Sequence, residues 1–379
     1  MSIYLDHNAT ARVRPQAIAA MTQVMEHVGN PSSIHAAGRT ARAVMEQARA
    51  DIGALISAPD STVIFTSGGT EANTIAIESA VAAGARRLIV SAIEHDSVQE
   101  TSRILGVEVE VLPVDSDGVA DLGWLRERLA RWDAADGKPF VALMLANNET
   151  GVIQPVVEVS EIVRAADGWL HVDAIQAAGK IAVDSRALGA DTLSISAHKL
   201  GGPQGIGALT FGPRATLSRR QHGGGQERGR RGGTENLPGI AGFGAAAVAA
   251  LAGLEAYQAR AIWRDAVAGR LKAAGGVVMG EAAPRLPNTL CIATPDFTSD
   301  LQVMGLDLAK VMISAGSACS SGKVKASPVL MAMGQGDLAG CAIRVSGGWD
   351  TTNTDWNTFA DVWLDAHDRH VQRRMRKSA

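Results

Sequence analysis

Apolar residues between positions 60 and 210 form short runs, rich in β-branched side chains, that alternate with longer stretches of helical spacing. The runs are TVIFTS (62–67), RLIVSA (87–92), VEVEVLPV (107–114), FVALMLA (140–146), WLHVDA (169–174) and TLSISA (192–197). Continuous apolar strands separated by helices are typical of a parallel sheet that is covered on both faces. The pattern therefore predicts an α/β fold around a mostly parallel sheet.

A second group of strands is predicted nearer the end of the chain, after an alanine-rich helical segment from Ile240 to Ala268. NTLCIAT (288–294), KVMISAG (310–316) and CAIRVSG (341–347) are typical of the strands of a smaller α+β domain. We expect a large domain over residues 16–254 and a small domain formed by 1–15 with 255–379. The basic tail RRMRKSA is expected to fray.

Polar residues gather where the predicted strands of the large domain end. In open α/β sheets, ligands bind beyond the carboxyl ends of the strands, so these groups are expected to share one site. The groups are Ser67-Gly68-Gly69-Thr70, Glu94-His95, Asn147-Asn148-Glu149, Asp173 with Gln176, and Ser196-Ala197-His198-Lys199.

Composition narrows the possible partners. The 379 residues are 46% hydrophobic with a formal net charge of −3, so nothing favours a nucleic-acid or anionic-membrane partner. The most apolar later stretch, Ala241 to Leu254, is shorter than the ~20 residues that a membrane span needs. The start, MSIYLDHNAT, lacks the pattern of a targeting signal. We expect a cytoplasmic enzyme with a small substrate.

The three cysteines form neither a paired framework nor a CxxC motif, which disfavours structural disulfides and zinc. Cys319 lies in SAGSACSSGK, among small residues and near Lys323 and Lys325. An accessible thiol beside cations is a candidate nucleophile, although a cysteine that only packs is the alternative. Cys291 and Cys341 fall within apolar strands and are expected to be buried and inert.

Lys199 follows a buried strand and precedes a glycine-rich turn, where a lysine can lose its proton and form a Schiff base with an aldehyde cofactor. The alternative is a lysine that extends to the surface. Asp173 ends the preceding strand, and a buried carboxylate needs a cation such as a protonated pyridine nitrogen. It could also, or instead, cap the next helix.

Other candidates surround this pair. Ser67 to Glu71 opens a helix after a strand, which suits a phosphate, although a simple helix cap would look the same. His95 could stack on a flat ring or shuttle protons, or it could be structural. Asn148 and Arg344 could bind a substrate carboxylate, the alternative for Arg344 being an ordinary ion pair. The run QHGGGQERGRRGGTEN (221–236) favours an ordered turn over RNA binding.

Taken in order, several motifs resemble those of the NifS/IscS-type cysteine desulfurases, within the class V pyridoxal-phosphate-dependent aminotransferases. The resemblance covers the chain up to about residue 348. The motifs are YLDHNAT, GNPSSIH, FTSGGTEANT, SAIEHDSV, ANNETGVIQP, HVDAIQAAGK, SISAHKLGGPQGIGAL, HGGGQERGRRGGTEN, LPNTL and SAGSACSSG.

The resemblance implies the aspartate-aminotransferase-like fold, a homodimer and a cofactor, pyridoxal 5'-phosphate, with assigned contacts. Lys199 would hold the cofactor covalently, Asp173 would contact its ring nitrogen, Gln176 its ring hydroxyl, and His95 would stack on the ring. The resemblance also implies a phosphate site and a substrate site. Phosphate contacts would come from Gly69, Thr70, Ser196, His198 and, across the dimer, Thr234, while Asn148 and Arg344 would bind the substrate carboxylate.

The implied activity converts L-cysteine to L-alanine and leaves the sulfur as a persulfide on Cys319, for transfer to an iron–sulfur scaffold or another acceptor protein. No intrinsic metal is expected, but Cys319 could act as a transient iron–sulfur ligand shared with a scaffold. The alternatives are another class V enzyme, such as an aminotransferase or a selenocysteine lyase, or a scaffold without chemistry. His7 departs from the asparagine that many members carry in YLDNNAT.

Overall fold

The computed structural model describes residues 2–59, 62–316 and 326–378, without the side chains of 377 and 378. The strands are β1 (Ile3–Tyr4), β2 (Val63–Thr66), β3 (Arg87–Ser91), β4 (Glu108–Leu112), β5 (Phe140–Met144), β6 (Trp169–Asp173), β7 (Thr192–Ser196), β8 (Gly207–Phe211), β9 (Val277–Val278), β10 (Thr289–Ala293), β11 (Val311–Met312), β12 (Ser314–Ala315) and β13 (Ala342–Ser346). The α-helices are α1 (Pro15–Met25), α2 (Ala36–Leu55), α3 (Gly69–Ala82), α4 (Asp96–Ile104), α5 (Leu122–Ala130), α6 (Val156–Ala165), α7 (Leu237–Ala252), α8 (Leu254–Gln258), α9 (Ala261–Ala273), α10 (Ser299–Leu308), α11 (Pro328–Ala332) and α12 (Asn353–Ser378). Short 3₁₀ helices cover Ala134–Asp136, Ala197–Lys199, Gln226–Gly229 and Gly336–Leu338.

Seven strands form the central sheet, in the order β2-β8-β7-β6-β5-β3-β4. The strands from β7 to β4 run parallel, and β8 runs antiparallel to both β2 and β7. The predicted α/β fold with a mostly parallel sheet is confirmed. Strand β8 has no counterpart among the predicted runs, because GALTF is short and begins with glycine directly after a turn.

The three strands at the centre of the sheet place their carboxyl ends together. Every residue of β5, β6 and β7 is buried, as expected for strands covered by helices on both faces. In the parallel register, Asp173 pairs with Met144 on one side and with Ser194 on the other. The polar residues that follow these strands therefore start from one edge of the sheet.

Helix α7 packs against α1 and α2 through small residues. A Cβ atom at Gly244 would lie 2.8 Å from the Cα of Ala48, so a larger side chain there would push α7 away from α2. The helical segment predicted from Ile240 to Ala268 is divided among three helices, since α7 ends at Ala252 and α8 and α9 follow after Gly253. Glycine is a poor helix former, which permits the break.

A second sheet, in the order β12-β13-β10-β9, lies in the later part of the chain, and β1 pairs in parallel with β11. Helices α9, α10 and α12 cover it and enclose a core that includes Leu5, Phe359 and Trp363. The first strand of the chain thus packs with its last third. The exact boundaries of the two predicted domains, at residues 16 and 254, stay a prediction.

Two expectations about the end of the chain are wrong. The basic tail does not fray, because α12 continues through Ser378 and Arg374 forms an ion pair of 2.6 Å with Asp296. Cys341 precedes β13 and is only partly buried, because the strand begins one residue later than its apolar run suggests.

No single helix among the described residues is long and apolar enough to cross a membrane. One pair, Leu237–Ala252 with Leu254–Ala273, reaches that length and composition only across a bend of 68°.

Candidate active site

A cavity of about 810 Å³ lies at the carboxyl ends of the central strands, next to the second sheet. It gathers most of the residues that were predicted to share a site. Those that line it are Gly69, Thr70, His95, Asn148, Asp173, Gln176, Ser196, His198, Lys199 and Arg344. Thr234 does not line it, and Cys319 lies outside the described residues.

Lys199 ends the short 3₁₀ helix that follows β7, which places its amine in the cavity. Its Nζ donates to the main-chain oxygens of Asn8 at 2.7 Å and Ala9 at 2.8 Å. Burial lowers the pKa of this amine to about 8, and the charge of Arg344 adds to the effect. A substantial fraction is uncharged near neutral pH, so Lys199 can act as a nucleophile and as a base.

Asp173 ends β6 and is buried. Its Oδ2 accepts from the side-chain amide of Asn73, and its Oδ1 accepts from the N–H of Ile175, both at 2.9 Å. Burial raises the pKa of its carboxyl group. Among the described residues it has no ion-pair partner, so a cationic group of a ligand would stabilise its charge.

Helix α3 directs its amino end toward the cavity. The first N–H groups of this helix, at Gly69 and Thr70, have no acceptor within the described part of the protein. Two free N–H groups at the positive end of a helix dipole form a site for a phosphate group. Ser196 and His198 lie beside it, and burial lowers the pKa of His198 to about 4, so this imidazole is neutral at physiological pH.

His95 stands at the amino end of α4, where its Nδ1 accepts from the N–H of Ser97 at 3.1 Å. Because Nδ1 accepts there, the ring proton is on Nε2. The side chain thus caps a helix, as the structural alternative expected, and also lines the cavity.

Arg344, on β13 of the second sheet, and Asn148, which follows β5 of the central sheet, meet at one wall of the cavity. Arg344 is buried and pairs with Asp6 at 2.8 Å, so the ion-pair alternative holds for one of its nitrogens. Its Nη1 donates to the main-chain oxygen of Asn148 at 3.3 Å, and Nη1 and Nη2 each keep a second hydrogen that can serve a ligand. Asn148 uses its main-chain oxygen to accept from Asn8 and from Arg344, while its side chain lines the cavity.

Gly316 and Ala326, the described residues on either side of the segment 317–325 that carries Cys319, both line the cavity. Glu149 lies between the ends of that segment. Its Oε2 accepts from the hydroxyl of Ser327 at 2.6 Å and would lie 2.6 Å from a Cβ atom at Gly316. Burial raises the pKa of the Glu149 carboxyl group.

The family model for "Aminotransferase class-V" matches residues 3–359. The chain is 42% identical to a cysteine desulfurase of Cereibacter sphaeroides, over 87% of this chain and 86% of that one. It is 41% identical to the cysteine desulfurase IscS 1 of Archaeoglobus fulgidus, over 87% of each chain. A solved NifS-like protein of Rickettsia africae superposes with a TM-score of 0.89 at 32% identity, over 97% of this chain and 100% of that one.

The chain belongs to the class-V aminotransferase family. Pyridoxal 5'-phosphate is accordingly its cofactor, and the residues of the cavity fit that molecule. The free N–H groups of Gly69 and Thr70 suit its phosphate, the buried carboxylate of Asp173 suits a protonated ring nitrogen, and the amine of Lys199 suits its aldehyde. The individual roles assigned to these residues stay predictions.

Asn73 escaped the sequence analysis, which placed Glu94 at the shared site without assigning it a role. Asn73 holds Asp173 and is itself held by Ser194 at 2.5 Å and by His171 at 3.0 Å. Glu94 lines the cavity with a buried Oε2 that has no partner among the described residues, and burial raises its pKa. The available signal was a polar side chain among the apolar positions of a helix, or a polar side chain just after a strand.

The cysteines differ in their surroundings. Cys291 is buried within β10, and burial raises the pKa of its thiol, which confirms the expectation that it is inert. The prediction for Cys319 as the reactive thiol falls on a residue outside the described ones. Thr234 is exposed and does not line the cavity, and its expected contact with the cofactor phosphate of a partner subunit stays a prediction.

Proposed function

We propose that this protein is a pyridoxal-phosphate-dependent cysteine desulfurase that releases L-alanine and retains the sulfur as a persulfide on Cys319. The observation that carries the proposal is the position of the segment containing Cys319. Both of its described neighbours, Gly316 and Ala326, line the cavity that holds the Lys199 amine. From Gly316, three residues of chain span at most about 11 Å, a length that permits Cys319 to act within that cavity.

Substrate binding is assigned to the wall where Arg344 and Asn148 meet. The Nη groups of Arg344, each of which keeps a second hydrogen, and the side-chain amide of Asn148 can hold the carboxylate of L-cysteine. Lys199 then removes the proton from the α-carbon, a role that its pKa of about 8 favours near neutral pH. The cofactor, when bound, withdraws electrons from that carbon.

Sulfur transfer conserves atoms and electrons without an added oxidant. The thiolate of Cys319 attacks the sulfur of the substrate, forming an S–S bond as the bond between that sulfur and Cβ breaks. The electron pair of the broken bond stays with Cβ, which takes up a proton and becomes the methyl group of alanine. The sulfur atom remains on Cys319 as a persulfide at the oxidation level of sulfane sulfur.

A persulfide carrier needs an acceptor. We assign that role to an iron–sulfur scaffold or another sulfur-acceptor protein, with Cys319 as a candidate transient ligand of a cluster on the scaffold. A reduced thiol favours the cytoplasm as the location, since cytosolic reductants keep cysteines free. Both assignments belong to the proposal.

We also propose a homodimer whose sites use residues from both chains. A second cavity, of about 600 Å³ between α1, α2 and the start of α7, is lined by the exposed Val28, and α1 carries two further exposed apolar side chains, Ile18 and Met25. This cavity reaches Leu237, three residues after Thr234. An apolar surface beside a residue expected to act on the partner's phosphate favours a second copy of this chain as its occupant.

The decisive experiment adds L-cysteine to the purified holoenzyme with a reductant and measures alanine and sulfide. We expect the two products in equal amounts. An aminotransferase would instead form an oxo acid, and a selenocysteine lyase would act on selenocysteine while leaving L-cysteine intact. Either result, or no product at all, would contradict the proposed function.

A further inference from the structure

Lys180 is a buried lysine next to the cavity, with only 2% of its surface exposed. Its Nζ donates to the Oε1 of Gln176 at 2.6 Å and to the Oδ1 of Asn8 at 2.8 Å. Among the described residues, no carboxylate forms an ion pair with it. A buried amine held only by two amide oxygens requires an explanation, because burial without a counter-charge is costly.

The contacts around Lys180 determine which way two side-chain amides face. The Nε2 of Gln176 donates to the main-chain oxygen of Asn8 at 3.0 Å. Since a carbonyl oxygen can only accept, the atom of Gln176 that faces it has to be nitrogen, and Oε1 therefore faces Lys180. The amide of Asn8 is assigned in the same way, because its Nδ2 donates to the main-chain oxygen of Asn148 at 3.1 Å.

One polar hydrogen of the Gln176 amide is left for a ligand. Its oxygen accepts from Lys180, and one of its two N–H groups donates to Asn8. The second N–H has no partner among the described residues, and Gln176 lines the cavity. The amide can therefore offer the cavity a donor, while its acceptor is engaged on the opposite side.

We propose that Lys180 is a positioning residue that fixes the side-chain amide of Gln176 as a hydrogen-bond donor toward the ring oxygen of the cofactor. The inference rests on the proposed function for the cofactor contact of Gln176. It adds that this contact is directional, since Lys180 prevents the amide from turning its oxygen toward the cavity. A ring oxygen that meets a donor is stabilised in its anionic form.

The charges around Lys180 leave this geometry intact. Lys199, Arg344, His7 and His198 all lie near enough to interact with it electrostatically. Burial and the charges of Lys199 and Arg344 lower the pKa of Lys180 well below its usual value. Even an uncharged lysine nitrogen keeps two hydrogens, so it can donate to both amide oxygens in either protonation state.

The test is a pH titration of the visible absorption band of the bound cofactor, in the wild-type holoenzyme and in Lys180→Met. Removing the amine leaves the main-chain oxygen of Asn8 as the remaining contact that orients the Gln176 amide among the described residues. The amide then rotates more readily, so the bound chromophore loses part of its donor and holds its proton more tightly. We expect the pH midpoint of the band to rise by about one unit. An unchanged midpoint in a variant that binds the cofactor would overturn the inference.

Val183→Ala is the matched control for stability alone. It removes buried apolar atoms three residues away without changing a charge or a donor, so its midpoint should equal that of the wild type. A wild-type protein without a cofactor band would contradict the proposed function itself. If the wild type titrates and Lys180→Met has the same pH midpoint, only the role of Lys180 is contradicted.

Gln176→Glu provides a second test that leaves Lys180 in place, should the methionine variant not fold. One carboxylate oxygen can accept from Lys180, but the other then faces the carbonyl of Asn8 and the ring oxygen without a hydrogen. We expect the dissociation constant of the cofactor to rise at least about tenfold. An unchanged constant would show that a donor is not required at this position and would overturn the inference.

Discussion

At the scale of single residues, the site depends on groups whose ionisation the protein has changed. Burial lowers the pKa of Lys199 and raises those of Asp173, Glu94 and Glu149. In each case the charged form loses hydration that the surrounding residues replace only in part. The cavity thus combines a readily deprotonated amine with carboxyl groups that gain from a cationic ligand or a donated proton.

Lys199→Ala should abolish covalent attachment of the cofactor while leaving the fold intact, because the side chain makes only two hydrogen bonds to main-chain oxygens. We expect the purified wild type to be yellow and the variant to lose its band on dialysis. Lys272→Ala is the control, since Lys272 pairs with Glu281 away from the cavity. An identical spectrum in Lys199→Ala would refute the assignment of the lysine.

Cys319→Ser should still fold and bind pyridoxal phosphate, because neither step uses the thiol. Sulfur transfer from L-cysteine should fall by roughly three orders of magnitude or more, as when a covalent nucleophile is removed. Cys291→Ser serves as the control for a buried thiol. Mass spectrometry after brief exposure to cysteine should place the extra sulfur on the peptide with Cys319, and its recovery on another cysteine would contradict the mechanism.

Between pH 7 and pH 5, the free energy of unfolding should fall less in His7→Asn than in the wild type. Burial lowers the pKa of His7 to about 4 in the folded chain, below the value of about 6.5 expected on unfolding. The unfolded chain therefore binds more protons between these values, so the free energy of unfolding falls as the pH falls through that window. At pH 5, the uptake of a proton by His7 in the unfolded chain lowers the free energy of unfolding by about 2 kcal/mol.

Urea titrations at pH 7 and pH 5 measure the free energy of unfolding of the wild type and of His7→Asn. The change between the two pH values is then compared. The exposed His222→Asn is the control and should keep the wild-type dependence. Equal losses of stability in wild type and His7→Asn would show that His7 is not held neutral by the fold.

At the scale of elements, the central sheet positions Lys199 and Asp173, and helix α11 begins shortly after the segment that carries Cys319. Lys199 and Asp173 each follow a strand of the central sheet, so their main chains are held by rigid hydrogen-bonded neighbours. The segment 317–325 is followed directly by α11, whose amino end is capped by Ser327. Ser327 also donates to Glu149, which connects that helix to the edge of the large sheet.

Ser327→Ala should destabilise the protein more than the loss of an ordinary helix cap. Its Oγ accepts from the N–H of Leu330 at 3.1 Å and donates to a buried carboxyl oxygen of Glu149. Losing the cap costs about 1 kcal/mol, and the unpaired carboxyl oxygen adds about 1–3 kcal/mol. Asp121→Ala, at the exposed cap of α5, should cost about 1 kcal/mol. If urea titrations show that Ser327→Ala and Asp121→Ala lose equal free energies of unfolding, the hydrogen bond to Glu149 contributes nothing and the prediction is wrong.

At the scale of the whole molecule, the cavity lies between the two sheets, and in the proposed dimer the partner copy brings Thr234 to the phosphate. Exposed apolar side chains on α1 and on the turn after it mark the proposed dimer surface. Val28 is 91% exposed and Leu308, on α10, is 80% exposed. The two positions are therefore equally tolerant of charge in a monomer.

Val28→Glu should raise the dissociation constant of the dimer at least about tenfold, because it places a charge in an apolar interface. Leu308→Glu is the matched control and should leave the association unchanged. Sedimentation equilibrium measures both constants. A fully active monomer, or equal effects of the two substitutions, would contradict the proposed interface.

The parts of this structure that follow from short-range pattern were predictable from the sequence. Apolar runs specified six of the seven central strands, and the position of a residue after such a run was enough to place Lys199 and Asp173 at one edge. The rule works because parallel strands buried on both faces have one apolar signature and end at a common edge. The resemblance of motifs added the cofactor and the activity.

Tertiary structure alone decided how those groups are held. Asn8 contacts Lys199, Gln176 and Lys180 across more than 160 positions of the chain, and no local pattern indicates such contacts. The same holds for Asn73 beneath Asp173 and for Glu149 beside Ser327. Polar residues become partners only when folding buries them together, because burial makes an unsatisfied donor or acceptor costly. Local pattern therefore determined which residues reach the site, and their distant contacts determined their orientation and charge.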